Sequence, residues 1–231
     1  MTPSLFITGT DTGVGKTFIG CLLAESIRGA GKTVGVLKPF SAGDLDDAAA
    51  LHRSAGRPGP VDRVTLLYSR LPLAPAAQVG LGRGGRTVVE KTFAKTLSAV
   101  KELQKQFDSV LVEGLGGVLA PLGGPYVVAD LIARLRLPVW IVGRAGLGTL
   151  NHVLLTVEAL RHRGLTPRRI ILSGHTGHDL SEKTNARILE GLTGIPLTEI
   201  PRSNERAPLD KAKRKLWAAF KTDFPFGYEK K

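Results

Sequence analysis

Cysteine is nearly absent from this 231-residue chain: Cys21 stands alone, which excludes an intramolecular disulfide and a thiolate zinc cluster. Without disulfides the sequence reads as that of a cytoplasmic protein. Aromatic residues are few, at 6%. No apolar run reaches the roughly 18 residues of a membrane helix, because Gly or Pro interrupts each long candidate. The opening residues lack a basic flank before an extended apolar stretch, so no secretory signal is expected. Acidic residues are also short, with 20 Asp and Glu against 32 Lys and Arg, a formal charge of +12. Such an excess suits an anionic partner. The basic residues are dispersed, however, except in "DKAKRKLWAAFK" (210–221), and few aromatics lie between them to stack bases. That argues against nucleic acid and for a solvated basic face or anionic small molecules.

What is present is a regular alternation. "LFITG" (5–9), "TVGVLK" (33–38), "SVLVEG" (109–114), "PVWIVG" (138–143) and "RIILSG" (169–174) are compact apolar runs. Such runs read as strands buried on both faces of a parallel sheet. Between them, 16–29, 88–106, 149–163 and 181–193 carry apolar residues at helical spacing. The expectation is an α/β fold, a mostly parallel sheet with helices on both faces, over one domain spanning 1–231. Ligands collect at the carboxyl ends of strands in such sheets. The Gly-, Pro- and Arg-rich stretch 56–86 reads mostly as loop, and a loop that long is usually functional. It is taken as a lid or substrate-side segment.

One stretch carries most of the chemistry. "FITGTDTGVGKTF" (6–18) ends a strand and opens the helical pattern "KTFIGCLLAESIR". It has the Gly-Lys-Thr of a phosphate loop, but the strict G-x-x-x-x-G-K-[ST] spacing puts Thr10 where glycine is expected, with Gly9 one place earlier. Backbone N–H groups of such a turn and of a helix N-terminus attract phosphate oxygens. Gly9, Thr10, Asp11, Thr12, Gly13, Val14, Gly15, Lys16 and Thr17 are therefore the expected phosphate cradle, with a P-loop NTPase-like fold around it. Lys16 is expected to reach the outer phosphates and the Thr17 hydroxyl to hold Mg²⁺.

"GTDTGVGKT" resembles the phosphate loop of the ATP-dependent dethiobiotin synthetase family, so the longer spacing is a family variant. "LKPFSAG" (37–43) is similar to that family's Lys-Pro segment, "VEGLGGVLAPL" (112–122) to its Val-Glu-Gly motif, and "LPVWIVGRAGLGTLNHVLLT" (137–156) to its Leu-Pro-Val strand and Gly-Leu-Gly turn. "LYSRLPLAPAA" (67–77) is a looser match, and the last third matches poorly. The resemblance implies a Mg²⁺-dependent ligase of biotin biosynthesis that uses ATP or another nucleoside triphosphate. Its reaction would carboxylate 7,8-diaminopelargonate with CO2 or bicarbonate, phosphorylate the carbamate and close a ureido ring. It also implies a homodimer, because family active sites lie at a subunit interface.

Phosphoryl transfer needs alignment and charge neutralisation more than covalent help. By that resemblance Lys16 and Lys38 are the expected catalytic cations, with Lys38 facing the carbamate and the transferring phosphoryl group. The alternative for Lys38 is a surface lysine closing a strand. Glu113 ends a buried strand, where a lone carboxylate is costly unless paired with a cation or metal. With Thr17 and Asp47 it forms a hard-oxygen set for Mg²⁺. Asp44, Asp46 and Asp47 also read as the cap and acidic first turn of a helix. Ser41, Gly116 and the turn of Gly148, Thr149, Leu150 and Asn151 are substrate candidates, the turn for the carboxylate tail, with Asn151 otherwise a plain helix cap. His152 is expected to be structural. Cys21 is expected in the core, and "SGHTGHD" (173–179) to lack a third metal ligand.

The chain departs from the family pattern at Ser173, where the family has an adenine-reading Asn, so base choice is open. Ala42 stands where Ser or Thr is usual. The basic tail from 211 fits a surface adaptation or a dimer contact. Competing readings are a corrin-amidating type of P-loop synthetase, a MinD/ParA-type nucleotide switch and a relative without catalysis. The short chain, the absence of a second loop lysine and the retained Lys16, Thr17, Lys38 and Glu113 weigh against them in turn.

Overall fold

The computed structural model describes residues 2–57, 61 and 64–225. In chain order the first elements are β1 (Ser4–Gly9), α1 (Lys16–Gly29), β2 (Val34–Leu37), β3 (Phe40–Ala42), α2 (Asp46–Ser54) and β4 (Leu67–Ser69). Then come α3 (Pro75–Val79), α4 (Arg83–Gln106), β5 (Ser109–Gly117), β6 (Pro121–Gly123), β7 (Tyr126–Val127) and α5 (Val128–Leu135). The rest are β8 (Val139–Arg144), α6 (Thr149–Arg161), β9 (Arg169–His175), α7 (Glu182–Thr193), β10 (Leu197–Pro201) and α8 (Arg206–Asp223).

A six-stranded sheet, in the order β10-β9-β8-β1-β5-β2, forms the centre, and all its pairings are parallel. Successive strand residues point to opposite faces, and this divides the core in two. Phe6, Val112, Ile141 and Leu172 pack with α4, α5, α6 and α7 through Phe93, Ile132, Val157 and Leu189. Leu5, Ile7, Leu111, Trp140 and Ile171 face the other way, against Leu23 of α1, Leu51 of α2 and Phe220 of α8. Both faces of the sheet are thus covered, which explains why its strands read as continuous apolar runs.

Four expectations need correction. The sheet has a sixth strand, β10, which the apolar-run reading passed over because "LTEIP" mixes polar residues into a half-exposed edge. The stretch 56–86 is less of a loop than its composition suggests, since β4, α3 and the first turn of α4 lie in it; residues 58–60 and 62–63 fall outside the described ones. Helix α4 begins at Arg83, not 88, and its glycine-rich opening hides the helical period. Gly85 is there for space: a Cβ on it would sit 1.9 Å from the Gly80 carbonyl oxygen. Finally, the basic tail is a helix with a buried stripe, Ala212, Leu216, Ala219 and Phe220, packed on α1 and β10. Its end is pinned by Asp223, which accepts from both Arg169 (2.7 and 3.0 Å) and Trp140 Nε1 (2.7 Å).

Candidate active site

The phosphate loop follows β1, the strand flanked by β5 and β8, where the direction of chain progression across the sheet reverses. That reversal opens the crevice in which α/β sheets bind ligands. Gly13 and Gly15 have φ of 70° and 98°, conformations that strain any residue with a side chain. Gly15 is also the N-cap of α1, which has no side-chain cap and no acidic residue in its first turn. The first amides of α1 thus point at the loop unneutralised, as an anion cradle requires. Lys16 Nζ folds back to donate to the Asp11 carbonyl oxygen (2.8 Å). Burial and the neighbouring Lys38 charge bring Lys16 down to about 8, against the opposing pull of Glu113 and Asp47.

Beside the loop, Leu37 of β2 pairs with Val112 of β5, so Lys38 and Glu113 leave adjacent strands together. Lys38 Nζ donates to Glu113 Oε1 (2.5 Å) and Asp47 Oδ2 (3.0 Å), and Thr17 Oγ1 donates to the same Glu113 oxygen (2.7 Å). Lys38 and Glu113 are 3% and 1% exposed, which overturns the reading of Lys38 as a surface lysine. Burial alone would lower Lys38, but the Glu113 and Asp47 charges outweigh it and hold its ammonium above the ordinary lysine range. Desolvation of Asp47 is likewise outweighed by Lys38, and its carboxyl titrates below the usual range. Asp47 lies in the first turn of α2 but serves this cluster as well as the helix. The N-cap position is Leu45, and Asp44 accepts from the Asp46 amide. Glu113 Oε2 is buried without a hydrogen-bond partner among the described residues. The hydroxyl and two carboxylates are hard oxygen donors, and this set fits a magnesium ion.

A cavity of about 510 Å³ opens over the cluster. Lys16, Thr17, Lys38, Ser41, Asp44, Asp47 and Gly116 supply its polar lining. Pro72, Leu73, Ala74, Leu115 and Ala120 supply an apolar wall. The first three come from the 67–77 segment, within the 56–86 stretch whose composition suggested a lid or substrate-side segment. On the other side of the phosphate loop a second cavity of about 610 Å³ is lined by Gly13, Val14, Gly15 and Ser173. Arg144, Asp179, Arg202 and Asn204 join it there. Sequence reasoning missed these four as a group, because the end of β8 and two loops distant in sequence bring them together. Ser173 is buried, and a Cβ on Gly15 would lie 2.7 Å from its Oγ.

Gly148, Thr149, Leu150 and Asn151 line neither cavity. Nor is Asn151 the cap of α6: it is exposed, and Gly148 holds the N-cap position with φ 89°. His152 is exposed rather than packed. It borders a third cleft with Thr10, Gly117, Leu119 and Leu155. Cys21 is half-buried against the α1 face of the core, and burial lifts its thiol to about 11, so it is a poor nucleophile. His175 lies between Glu182 (3.7 Å) and Glu199 (3.9 Å).

A parallel sheet, a glycine phosphate loop opening a helix and a buried Lys, Thr and carboxylate cluster define a P-loop nucleotide-using enzyme. Its solved neighbours agree on the fold. Cobyrinic acid a,c-diamide synthase from Mycobacterium smegmatis superposes over 98% of this chain and 97% of its own (TM-score 0.61, 15% identity). A family model described as an AAA domain matches residues 3–206. The ATP-dependent dethiobiotin synthetase of Endomicrobium trichonymphae is 38% identical over 91% of this chain and 97% of its own length. That of Aquifex aeolicus is 41% identical over 86% and 88%. That of Anaeromyxobacter dehalogenans strain 2CP-1 is 43% identical over 85% and 89%. The chain belongs to the ATP-dependent dethiobiotin synthetase family and is an ATP-dependent ligase of that kind.

Proposed function

We propose that this chain joins CO2 to the vicinal amines of 7,8-diaminopelargonate to make dethiobiotin at the expense of ATP. The observation that carries this reading is Lys38: a buried ammonium, fixed by Glu113 and Asp47, at the floor of a cavity with one polar and one apolar wall. The apolar wall suits an alkyl chain. The phosphate loop seats the triphosphate, and Lys16 swings from the Asp11 carbonyl to the outer phosphates. One amine attacks CO2 and loses a proton, giving a carbamate whose charge Lys38 holds beside the γ-phosphate. The carbamate oxygen takes the phosphoryl group and ADP leaves. The second amine then attacks the carbamoyl carbon, the ring closes, and inorganic phosphate departs. Fixed cations in a dry site contribute on the order of 10²–10³ in rate per group. Thr17, Asp47 and Glu113 would hold a magnesium ion, which when bound neutralises the charge of the transferring phosphates.

Ser41 and Gly116 face the same cavity and are assigned to substrate. The 67–77 segment, through Pro72, Leu73 and Ala74, acts as the cavity's lid. Ser173 lies where the nucleoside would extend from the phosphate loop, so the preferred base is set there. The 148–151 turn, which lines neither of the two cavities described above, is assigned to the substrate carboxylate of a second copy. Exposed Leu119, Leu147 and Leu155 near the turn support a homodimer through this face. Among the described residues no helix is long and apolar enough to cross a membrane. The lone cysteine supports a cytoplasmic location for the synthetase.

The test is phosphate release with Mg²⁺ and bicarbonate, with and without the diamine, using ATP and CTP in parallel. Release that requires the diamine and yields dethiobiotin by mass spectrometry supports the reading. Release indifferent to the diamine refutes it.

A further inference from the structure

The β9–α7 loop and α7 grip the turn that leads into α6, and they do so with one acceptor and one donor. Asp179 Oδ2 accepts from the Leu147 amide (2.9 Å), while its Oδ1 accepts from the Ser181 amide (2.8 Å). Asn185, only 3% exposed, donates through Nδ2 to the carbonyl oxygens of Ala145 (2.8 Å) and Gly146 (3.4 Å). A side chain at 146 would displace the Asp179 carboxylate, since a Cβ there would stand 2.7 Å from its Oδ2. From the strand side, the Ala145 amide donates to the Ser173 carbonyl oxygen (3.0 Å). The Gly146 carbonyl accepts in turn from the Thr149 amide (3.3 Å), the first residue of α6.

These bonds lie on the boundary of the second cavity. Arg144, Ala145, Gly146 and Asp179 all line it, opposite Gly13 and Gly15 of the phosphate loop. A nucleotide whose phosphates occupy the loop must lay its nucleoside against the same residues that carry the turn. An ionised Asp179 with two amide donors is rigid, and Asn185 is buried, so displacement of the loop is passed to the turn rather than absorbed.

We propose that Asp179 and Asn185 are positioning residues coupling the nucleoside cavity to the N-terminus of α6. A bound nucleotide stiffens the 145–149 turn and thereby tightens the hold on the anionic end of the second substrate seated in the partner copy. The substrate half of this inference rests on the assignment of the 148–151 turn given above. Coupling between binding sites is reciprocal, so the diamine also tightens nucleotide binding by the same factor.

The first measurement is amide hydrogen exchange across 145–152 with and without ADP. In the unaltered protein ADP slows exchange at Leu147 and Thr149 by about tenfold, a typical coupling. In Asp179→Ala the slowing is lost even at ADP concentrations that saturate the variant, set by titration, and in Asp179→Asn it returns in part, because the amide oxygen still accepts from Leu147. In steady state, Asp179→Ala raises the diamine KM about tenfold, and kcat falls by less than KM rises. Where Asp179→Ala fails a thermal-melt check, Asn185→Ser supplies the same comparison. Equal slowing in the variant, no slowing in the unaltered protein, or a fall in kcat as large as the rise in KM overturns the proposal. ADP protection that depends on Asp179, in a protein that ignores the diamine, upholds the clamp and refutes the dethiobiotin reading instead.

Discussion

Lys38 and Glu113 stand one step beyond a paired register, Leu37 against Val112, and their side chains meet at 2.5 Å in the interior. Parallel strands therefore deliver the cation and the carboxylate to one place. Neither charge has water to fall back on, and each is tolerable only because of the other.

Lys38→Met removes the ammonium at little change in length. Diamine-dependent phosphate release is expected to fall by about 10²–10³, measured as kcat at saturating substrates. The phosphate loop is untouched, so ADP affinity, measured by titration calorimetry, changes far less than kcat. An equal loss of ADP affinity would mean that Lys38 serves the nucleotide rather than the reacting carbamate.

Lys16, held near 8 in the fold against 10.5 ordinarily, makes both binding and stability depend on pH. Between these values the unfolded chain keeps the Lys16 proton and the folded chain sheds it. Stability from this group accordingly rises with pH across that window, by on the order of 3 kcal/mol in total. Urea midpoints compared with Lys16→Met should show the steeper rise in the unaltered protein. Phosphate binding restores the charge, so ADP binding near pH 8 takes up about half a proton. Calorimetry in buffers of different ionisation enthalpy reads that uptake directly, and zero uptake would contradict the lowered value.

Asp223→Ala strands Arg169 and the Trp140 indole N–H in the core. Breaking one side of a buried ion pair costs about 3–5 kcal/mol, and denaturant unfolding should register a loss of that size. The double variant Arg169→Met, Asp223→Leu should recover much of it. Neither residue touches a cavity of the site, so the nucleotide affinity of protein that remains folded is expected to hold.

Gly85→Ala tests the opening of α4. A methyl group 1.9 Å from the Gly80 oxygen forces the α3–α4 junction apart, at a cost of about 1–3 kcal/mol. Because α3 follows the Pro72, Leu73 and Ala74 wall, the diamine KM should rise while ADP affinity holds. A drop in melting temperature with no change in that KM would remove the lid role from the segment.

The chain's own order of residues determined a good deal. Gly9, Gly13 and Gly15 before Lys16 and Thr17 specify a phosphate loop, because the required backbone conformations and the helix start are local. Apolar runs ending at Gly9, Lys38, Gly114, Gly143 and Gly174 marked the buried strands, since burial on both faces leaves no alternation to misread. Other features were decided only by the tertiary structure. β10 is half polar because it is an edge, and a polar edge has no local signature. The choice of Asp47 over Asp46 depends on which face of α2 meets Lys38. Arg144 comes from the end of β8 and Asp179, Arg202 and Asn204 from two loops, and their shared cavity exists only once β8, β9 and β10 lie side by side. Local conformation is written in neighbouring residues, whereas a site assembled by parallel strands depends on crossovers that join residues far apart in the chain.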